Sequence, residues 1–552
     1  MLLIFMLCSV ALIARAVNLQ VMETDFLQGQ GKARFLREVT LASTRGVITD
    51  RNGEPLAVST PVDSIWVHPG QLLEYPDKIK PLAALLEANA EDIERKMTQR
   101  AGKEFVWLRR RLNPSIADEI RELKIPGVYL QKEYRRFYPA GEVTSHVIGF
   151  TNIDDVGQEG LELAYDNWLA GSPGSKRVIK NRLGQTVEED ELIRESDPGK
   201  DLHLSIDKRL QYLAYRELKS TVLQHGARSG SVVVLDVDSG EVLAMVNQPS
   251  YNPNQPGRDT DGRRNRAVTD VVEPGSVMKP FAIASVLENR IAVPTTPVET
   301  SPGYTVISGH TIRDHRNYGL LDVTGVMTKS INVGVTLLGL QLEAQQMWDT
   351  YSRLGFGEAT GTGFPGESAG VLRNHRRWRR VEQATISYGY GISATPLQLA
   401  QAYAAIANGG KLRQPAFILG SNNPPISAID PEIAKSVAKM LETVPTREGT
   451  GSKARVANYR IAGKTGTSRK ASASGYAAAR YVSSFAGFGP ASSPRLVCVV
   501  IINDPTGKEY YGGLVAAPLF SRVMTGAMRI LNIPPDDYPA MLVDAGPDMG
   551  GQ

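Results

Sequence analysis

The chain opens on an uncharged apolar run, residues 2–14, that continues past Arg15 into Ala16 and Val17. Such a run is shorter than the roughly 20 apolar residues that a helix needs to cross a bilayer. No basic flank precedes it. Two expectations follow: a transmembrane anchor with part of its length upstream, or a cleavable signal with Ala14-Arg15-Ala16 as its small-residue site. Farther on, residues 210–221 carry apolar positions at helical spacing, and residues 231–246 read as a hairpin turned at Asp238-Ser239-Gly240. Residues 481–485 and 495–502 read as strands. Between 44 and 200 the pattern is mixed α/β and rich in turn signals such as Asp50-Arg51-Asn52-Gly53. A polar connector, 18–43, precedes that segment. After Pro534 the periodicity stops, and residues 535–552, rich in proline, glycine and aspartate, are expected to be a disordered tail.

Composition narrows the classes without choosing among them. At 552 residues the chain has room for two or three domains, and 42% apolar with 22% charged residues is ordinary globular usage. A formal net charge of +4 is small for this length, so nucleic acid is not an expected partner. The two cysteines, Cys8 in the apolar run and Cys498 in an expected strand, do not form a plausible disulfide. His310, His315 and His375 lack zinc-ligand spacing, and no metal or organic cofactor is expected. One local feature stands out: Arg373, Arg376, Arg377, Arg379 and Arg380 crowd a short stretch. A solvated loop or helix face is its ordinary reading, and a docking surface for anionic glycan or lipid headgroups is the alternative.

Chemistry enters with three short motifs. Ser276-Val277-Met278-Lys279, Ser330-Ile331-Asn332 and Lys464-Thr465-Gly466 follow in order; Ser330 lies 54 residues beyond Ser276, and Lys464 lies 132 beyond Asn332. Residues i and i+3 share a helical face, so Lys279 Nζ can reach Ser276 Oγ if a helix starts at about Ser276. Pro280 supports that placement, because proline is tolerated only near a first turn. A serine hydroxyl needs a base. Lysine serves as one when burial or a neighbouring cation lowers its pKa. Lys464-Thr465-Gly466-Thr467 is expected on a sheet edge beside the serine helix, with Gly466 letting a substrate backbone approach and its neighbours receiving a carboxylate. Chance copies of the first motif occur at Ser205 to Lys208, where Ser205 reads as a helix cap, and at Ser436 to Lys439 on an amphipathic helix; Ser421-Asn422-Asn423 repeats the second.

Together the motifs match the serine-lysine set of penicillin-binding proteins and class A β-lactamases. The chain resembles the class B penicillin-binding proteins, most closely their septal branch, over most of its length. The resemblance rests on Arg45-Gly46-Val47-Ile48-Thr49-Asp50-Arg51-Asn52-Gly53, Arg136-Phe137-Tyr138-Pro139-Ala140-Gly141 and Gly160-Leu161-Glu162. Asp236-Val237-Asp238-Ser239-Gly240-Glu241, Tyr388-Gly389-Tyr390-Gly391 and Thr395-Pro396-Leu397-Gln398 carry it through the second half. It implies an α/β (α+β) serine-transpeptidase fold, an antiparallel sheet flanked by helices, with an elongated pedestal and an N-terminal anchor. The implied divisions are 1–20 anchor, 21–200 connector and pedestal, 201–534 transpeptidase domain and 535–552 tail.

The resemblance also implies roles. Lys279 takes the proton of Ser276, which attacks the penultimate D-alanine of a peptidoglycan stem peptide. Ser330 and Asn332 complete the proton path and hold the peptide amide. Lys464 adds positive potential, Thr465 and Thr467 receive the terminal carboxylate, and the N–H groups of Ser276 and Thr467 form the oxyanion hole, worth about 3 kcal/mol per donor. The implied partners are D-Ala-D-Ala stem peptides, β-lactams, the inner membrane crossed once with a periplasmic catalytic domain, and divisome membrane proteins including a glycosyltransferase. Two other readings stay open. One is a D,D-carboxypeptidase or β-lactamase-type hydrolase, against which Ser330-Ile331-Asn332 departs from the serine-aspartate-asparagine pattern of class A β-lactamases. The other is a non-catalytic β-lactam sensor or division scaffold.

Overall fold

The computed structural model describes residues 2–18, 36–41, 43–180, 186–421, 423–472 and 475–537. Its C-terminal half is built on five antiparallel strands. Their order across the sheet is Val242–Gln248, Ser229–Asp236, Leu496–Asn503, Gly475–Gly489 and Ala462–Ser472. The three strands at the start of that order are buried at almost every position, not at alternate ones, because both faces of the sheet are covered. Val232, Val234, Cys498, Val500 and Ile502 face Leu218 and Phe520, from helices Lys208–Gln224 and Gly512–Ile530. Val233, Leu235, Val497 and Val499 belong to the opposite core, with Phe281 from helix Lys279–Glu288 and Leu399 and Tyr403 from helix Pro396–Ala407. The expected hairpin is present. Asp236 Oδ1 accepts the N–H groups of Asp238 at 3.0 Å and Ser239 at 2.9 Å, and Gly240 supplies the positive φ, +76°, that closes the turn.

The pedestal is a separate sheet with its own core. Strand Pro55–Val67 pairs with both Val106–Leu112 and Val128–Phe137. One side of this sheet is packed by Leu72, Ile79, Leu82, Ile93, Met97 and Ile120 from short helices. Near the end of this lobe Ile48–Thr49 pairs in parallel with Leu202–His203, the segment that leads into helix Lys208–Gln224. Beside this junction lies a buried charge cluster. Glu162 bridges Arg45 Nε at 2.6 Å and Arg136 Nε at 2.7 Å, all three side chains being at most 1% exposed. The three sequence segments that carry the resemblance in this half thus meet at one point.

The N-terminal run is helical over Leu2–Val17, 16 residues, with Ile4, Phe5, Leu7 and Leu12 exposed. No helix of the described residues is long and apolar enough to cross a membrane. Most of the connector, residues 19–35, and residues 538–552 of the expected tail lie outside the described residues. Within the connector Leu36–Leu41 is a strand, paired with Gly174–Lys180.

Candidate active site

The nucleophile motif begins one turn earlier than an α-helix does. Residues Gly275–Met278 form a 3₁₀ turn, and the α-helix starts at Lys279 with Pro280 in its first turn. Three neighbours hold this turn in place. Tyr403, fully buried, donates its hydroxyl to Val277 O at 2.8 Å. Gly389 O accepts the N–H of Gly275 at 3.1 Å. Glu273 Oε1 accepts the N–H of Gly391 at 2.8 Å. The Tyr388-Gly389-Tyr390-Gly391 segment, noted in the sequence only as a mark of resemblance, is therefore the floor beneath the nucleophile turn. A Cβ on Gly389 would lie 2.1 Å from Gly275 O, at a φ of +88° that side chains rarely adopt.

The edge strand Ala462–Ser472 lies against the same turn. Gly466 is closely packed there. A Cβ on it would stand 2.2 Å from Ser484 Oγ and 3.0 Å from both Pro274 O and Val277 Cγ1, so the missing side chain makes room for the protein's own atoms. Thr465 Oγ1 hydrogen-bonds Thr450 Oγ1 at 2.7 Å. Thr467 Oγ1 accepts the N–H of Gly512 at 2.9 Å, which leaves its own proton for an incoming acceptor.

Between turn and strand two lysines share one serine. Lys464 Nζ donates to Ser330 Oγ at 2.8 Å and to Thr465 O at 3.2 Å. Lys279 Nζ donates to Ser330 O at 2.5 Å, Ser330 Oγ at 3.3 Å and Asn332 Oδ1 at 2.8 Å. Ser330 closes helix Val323–Lys329 in the left-handed region, φ +61°. Strain of this kind, about 1–3 kcal/mol, persists only where the surroundings impose it. Lys279 makes no hydrogen bond to Ser276: among the described residues Ser276 Oγ has no hydrogen-bond partner, although the spacing of the motif led us to expect one.

Both lysines are buried, at 1% and 0% exposure. Burial pushes Lys279 down to about 7, and the nearby Asp314 carboxylate opposes the fall. Lys464 is driven well below its ordinary value by burial and by Lys279. Both shifts favour the neutral amine over the ammonium, and Ser330 Oγ bridges the two lysines. Asp314, which no motif marks, anchors the third wall. It accepts the N–H of Asn332 at 2.5 Å and of Val333 at 3.2 Å, the start of helix Asn332–Gly339, and so fixes the asparagine that receives Lys279. Burial raises its pKa.

The competing motifs are structural. Ser205 is fully buried and donates to Val242 O at 2.8 Å and Ala416 O at 2.9 Å. It does not cap the following helix; Asp207 does, accepting from Arg209 N at 3.0 Å and Leu210 N at 3.4 Å. Ser421 donates to Ile418 O at 2.9 Å.

A half-buried serine next to paired buried lysines, a bridging hydroxyl and threonines on a sheet edge is a site for acyl transfer through a serine ester. Family models match accordingly: the penicillin-binding protein dimerisation domain over residues 40–204 and the penicillin-binding protein transpeptidase domain over residues 230–525. The chain belongs to the penicillin-binding protein family. It is 43% identical to the peptidoglycan D,D-transpeptidase FtsI of Escherichia coli K12, across 98% of this chain and 94% of that one. To the probable peptidoglycan D,D-transpeptidase PbpC of Pseudomonas aeruginosa it is also 43% identical, over 98% and 96%. Penicillin-binding protein 3 of Mycobacterium tuberculosis, solved in complex with aztreonam, superposes with a TM-score of 0.71 at 28% identity, covering 90% of this chain and 98% of that one.

Proposed function

We propose that this chain is a peptidoglycan D,D-transpeptidase and a target of β-lactams, working in septal wall synthesis. The Lys279–Ser330–Lys464 bridge beside Ser276 is the observation that carries the reading. Ser276 Oγ attacks the carbonyl carbon of the penultimate D-alanine while its proton passes to Lys279. That amine reaches Ser276 once it releases one of its present acceptors. The C–N bond then breaks, the proton goes to the departing amine, and terminal D-alanine leaves an ester on Ser276. An amine from a neighbouring stem attacks this ester, forms the new peptide bond and returns a proton to Ser276.

Ser330, whose hydroxyl lies between the lysines, and Asn332, which holds Lys279, complete the proton path and hold the peptide amide. Lys464 adds positive potential, Thr465 and Thr467 receive the terminal carboxylate, and the N–H groups of Ser276 and Thr467 stabilise the oxyanion. Gly466 lets the substrate backbone approach the strand, and its packing against Ser484 and the nucleophile turn fixes that strand's position. The divisions at 20, 200 and 534 belong to the same proposal. So do an inner-membrane anchor that includes the exposed apolar helix Leu2–Val17, a periplasmic catalytic domain, and divisome partners including a glycosyltransferase. Labelling the full chain with a fluorescent penicillin and mapping the peptide tests the site: the adduct is expected on Ser276, and an adduct on Ser205 or Ser436 overturns the assignment.

A further inference from the structure

The arginine stretch remains unused by the site. Its residues form a fixed display, not a loose loop. Asn374 caps the 3₁₀ turn His375–Arg377, accepting the N–H of Arg376 at 3.0 Å. Trp378 packs against the catalytic core and donates Nε1 to Arg373 O at 3.0 Å, and the His375 ring lies 5.7 Å from that of Trp348. On this frame all five arginines are exposed. Glu382 is the carboxylate that answers them, 3.9 Å from Arg373 and 3.4 Å from Arg379. Among the described residues Arg376, Arg377 and Arg380 have no ion-pair partner. Five arginines and one glutamate give the segment 373–382 the same formal excess, +4, as the whole chain. The protein's excess charge can thus be assigned to one turn.

Its place in the fold gives that charge a use. Helix Arg380–Ile386 begins at the turn and ends just before Tyr388, whose segment forms the floor under Gly275 and Ser276. Seven helical residues span about 10 Å. The arginines therefore stand on the element that leads directly to the nucleophile. Guanidinium groups are suited to carboxylates, which they grip with two parallel N–H donors. A peptidoglycan strand carries several stems and so offers several carboxylates to such a display at once.

We propose that the arginine turn is an exosite for the free carboxylates of an uncrosslinked peptidoglycan strand whose neighbouring stem occupies the active site. The proposal rests on the transpeptidase reading. It requires no new chemistry, only electrostatic retention of a polyanionic substrate, weakened by salt.

The test uses the full chain and a triple variant, Arg376→Glu, Arg377→Glu and Arg380→Glu, none of which touches the site. Binding to isolated uncrosslinked strands is measured at low and high salt, alongside the rate of fluorescent-penicillin labelling. We expect strand affinity at low salt to fall by at least about tenfold, which is within the reach of three exposed ion pairs. Penicillin labelling should stay within about twofold of wild type, as expected for charges that do not touch the site. Strands with amidated carboxylates should bind wild type as weakly as native strands bind the variant. Equal strand binding by variant and wild type overturns the proposal, as does undiminished binding of amidated strands. Loss confined to vesicles containing phosphatidylglycerol also overturns it, in favour of a lipid surface. A wild-type chain that penicillin fails to label would instead sink the transpeptidase reading.

Discussion

Lys279 illustrates how one side chain's surroundings set a rate. An ordinary lysine is an ammonium throughout the useful pH range and cannot accept a proton. Burial pushes this one down to about 7. The neutral amine is the reactive form, so its population rises as pH climbs through that value. Acylation by penicillin is expected to increase about tenfold per pH unit below 7 and to level off above it. Arginine stays protonated. Lys279→Arg should therefore abolish that acid limb and slow acylation by at least about a hundredfold. The measurement is labelling rate against pH, with thermal melts to exclude unfolding. A folded arginine variant that still labels near the wild-type rate would remove Lys279 from the base role. At this scale the sequence was informative about identities and silent about bonds. It pointed to Ser276, Lys279, Ser330, Asn332 and Lys464 as one site, because their types and order are chemically specific. It could not show that Lys279 is held by Ser330 and Asn332 and not by Ser276, since that depends on a left-handed Ser330 in a distant helix terminus. Asp314 was invisible for a related reason: a carboxylate whose partners are backbone N–H groups leaves no side-chain pattern to find.

Among elements, the close approach of the Tyr388 segment to the nucleophile turn is the most sensitive contact. Gly389→Ala would set a methyl 2.1 Å from Gly275 O at a φ of +88°. It should cost at least about 2 kcal/mol and slow acylation, because the strain is relieved by moving the residue next to Ser276. Gly391→Ala is the control. Its φ is +79°, but its nearest neighbours would be 3.6 Å and 3.8 Å away, so it should slow labelling much less. Urea melts and labelling rates on the two variants decide the matter; equal effects would mean that backbone strain, not the contact, dominates. The sheet itself was largely legible. The run at 481–485 is strand, the run at 495–502 is strand from Leu496 on, and the helix and hairpin before them appear where their periodicity put them. The start of the nucleophile helix was not, because proline at position 280 is compatible with either kind of turn before it. For Gly466 the sequence suggested substrate access and was silent about packing: the atoms that exclude a side chain there belong to Ser484 and the nucleophile turn.

For the whole molecule, the pedestal depends on a charge that no water reaches. Glu162 lies between Arg45 and Arg136, and Arg45 has a second partner in Asp166 at 2.7 Å. Glu162→Gln would leave Arg136 without a carboxylate in a dry interior. A loss of about 3–5 kcal/mol is expected, seen as an early pedestal transition in denaturant melts. Penicillin labelling by the intact catalytic domain should persist below that transition, and a single unshifted melt would refute the expectation. The parallel pairing at the junction has a mechanical consequence. Leu202 and Leu204 donate their N–H groups to Val47 O and Thr49 O, each at 2.9 Å, so the strand entering the pedestal and the strand leaving it run side by side. Asp50, just beyond, accepts the N–H of Lys208 at 3.0 Å, at the start of the helix that lies on the central sheet. With Gln211 Nε2 donating to Val143 O at 2.9 Å and Tyr251 donating its hydroxyl to Ser145 O at 3.0 Å, the two lobes are tied along several segments, so a displacement of one is passed to helix Lys208–Gln224 and the sheet beneath it as a unit.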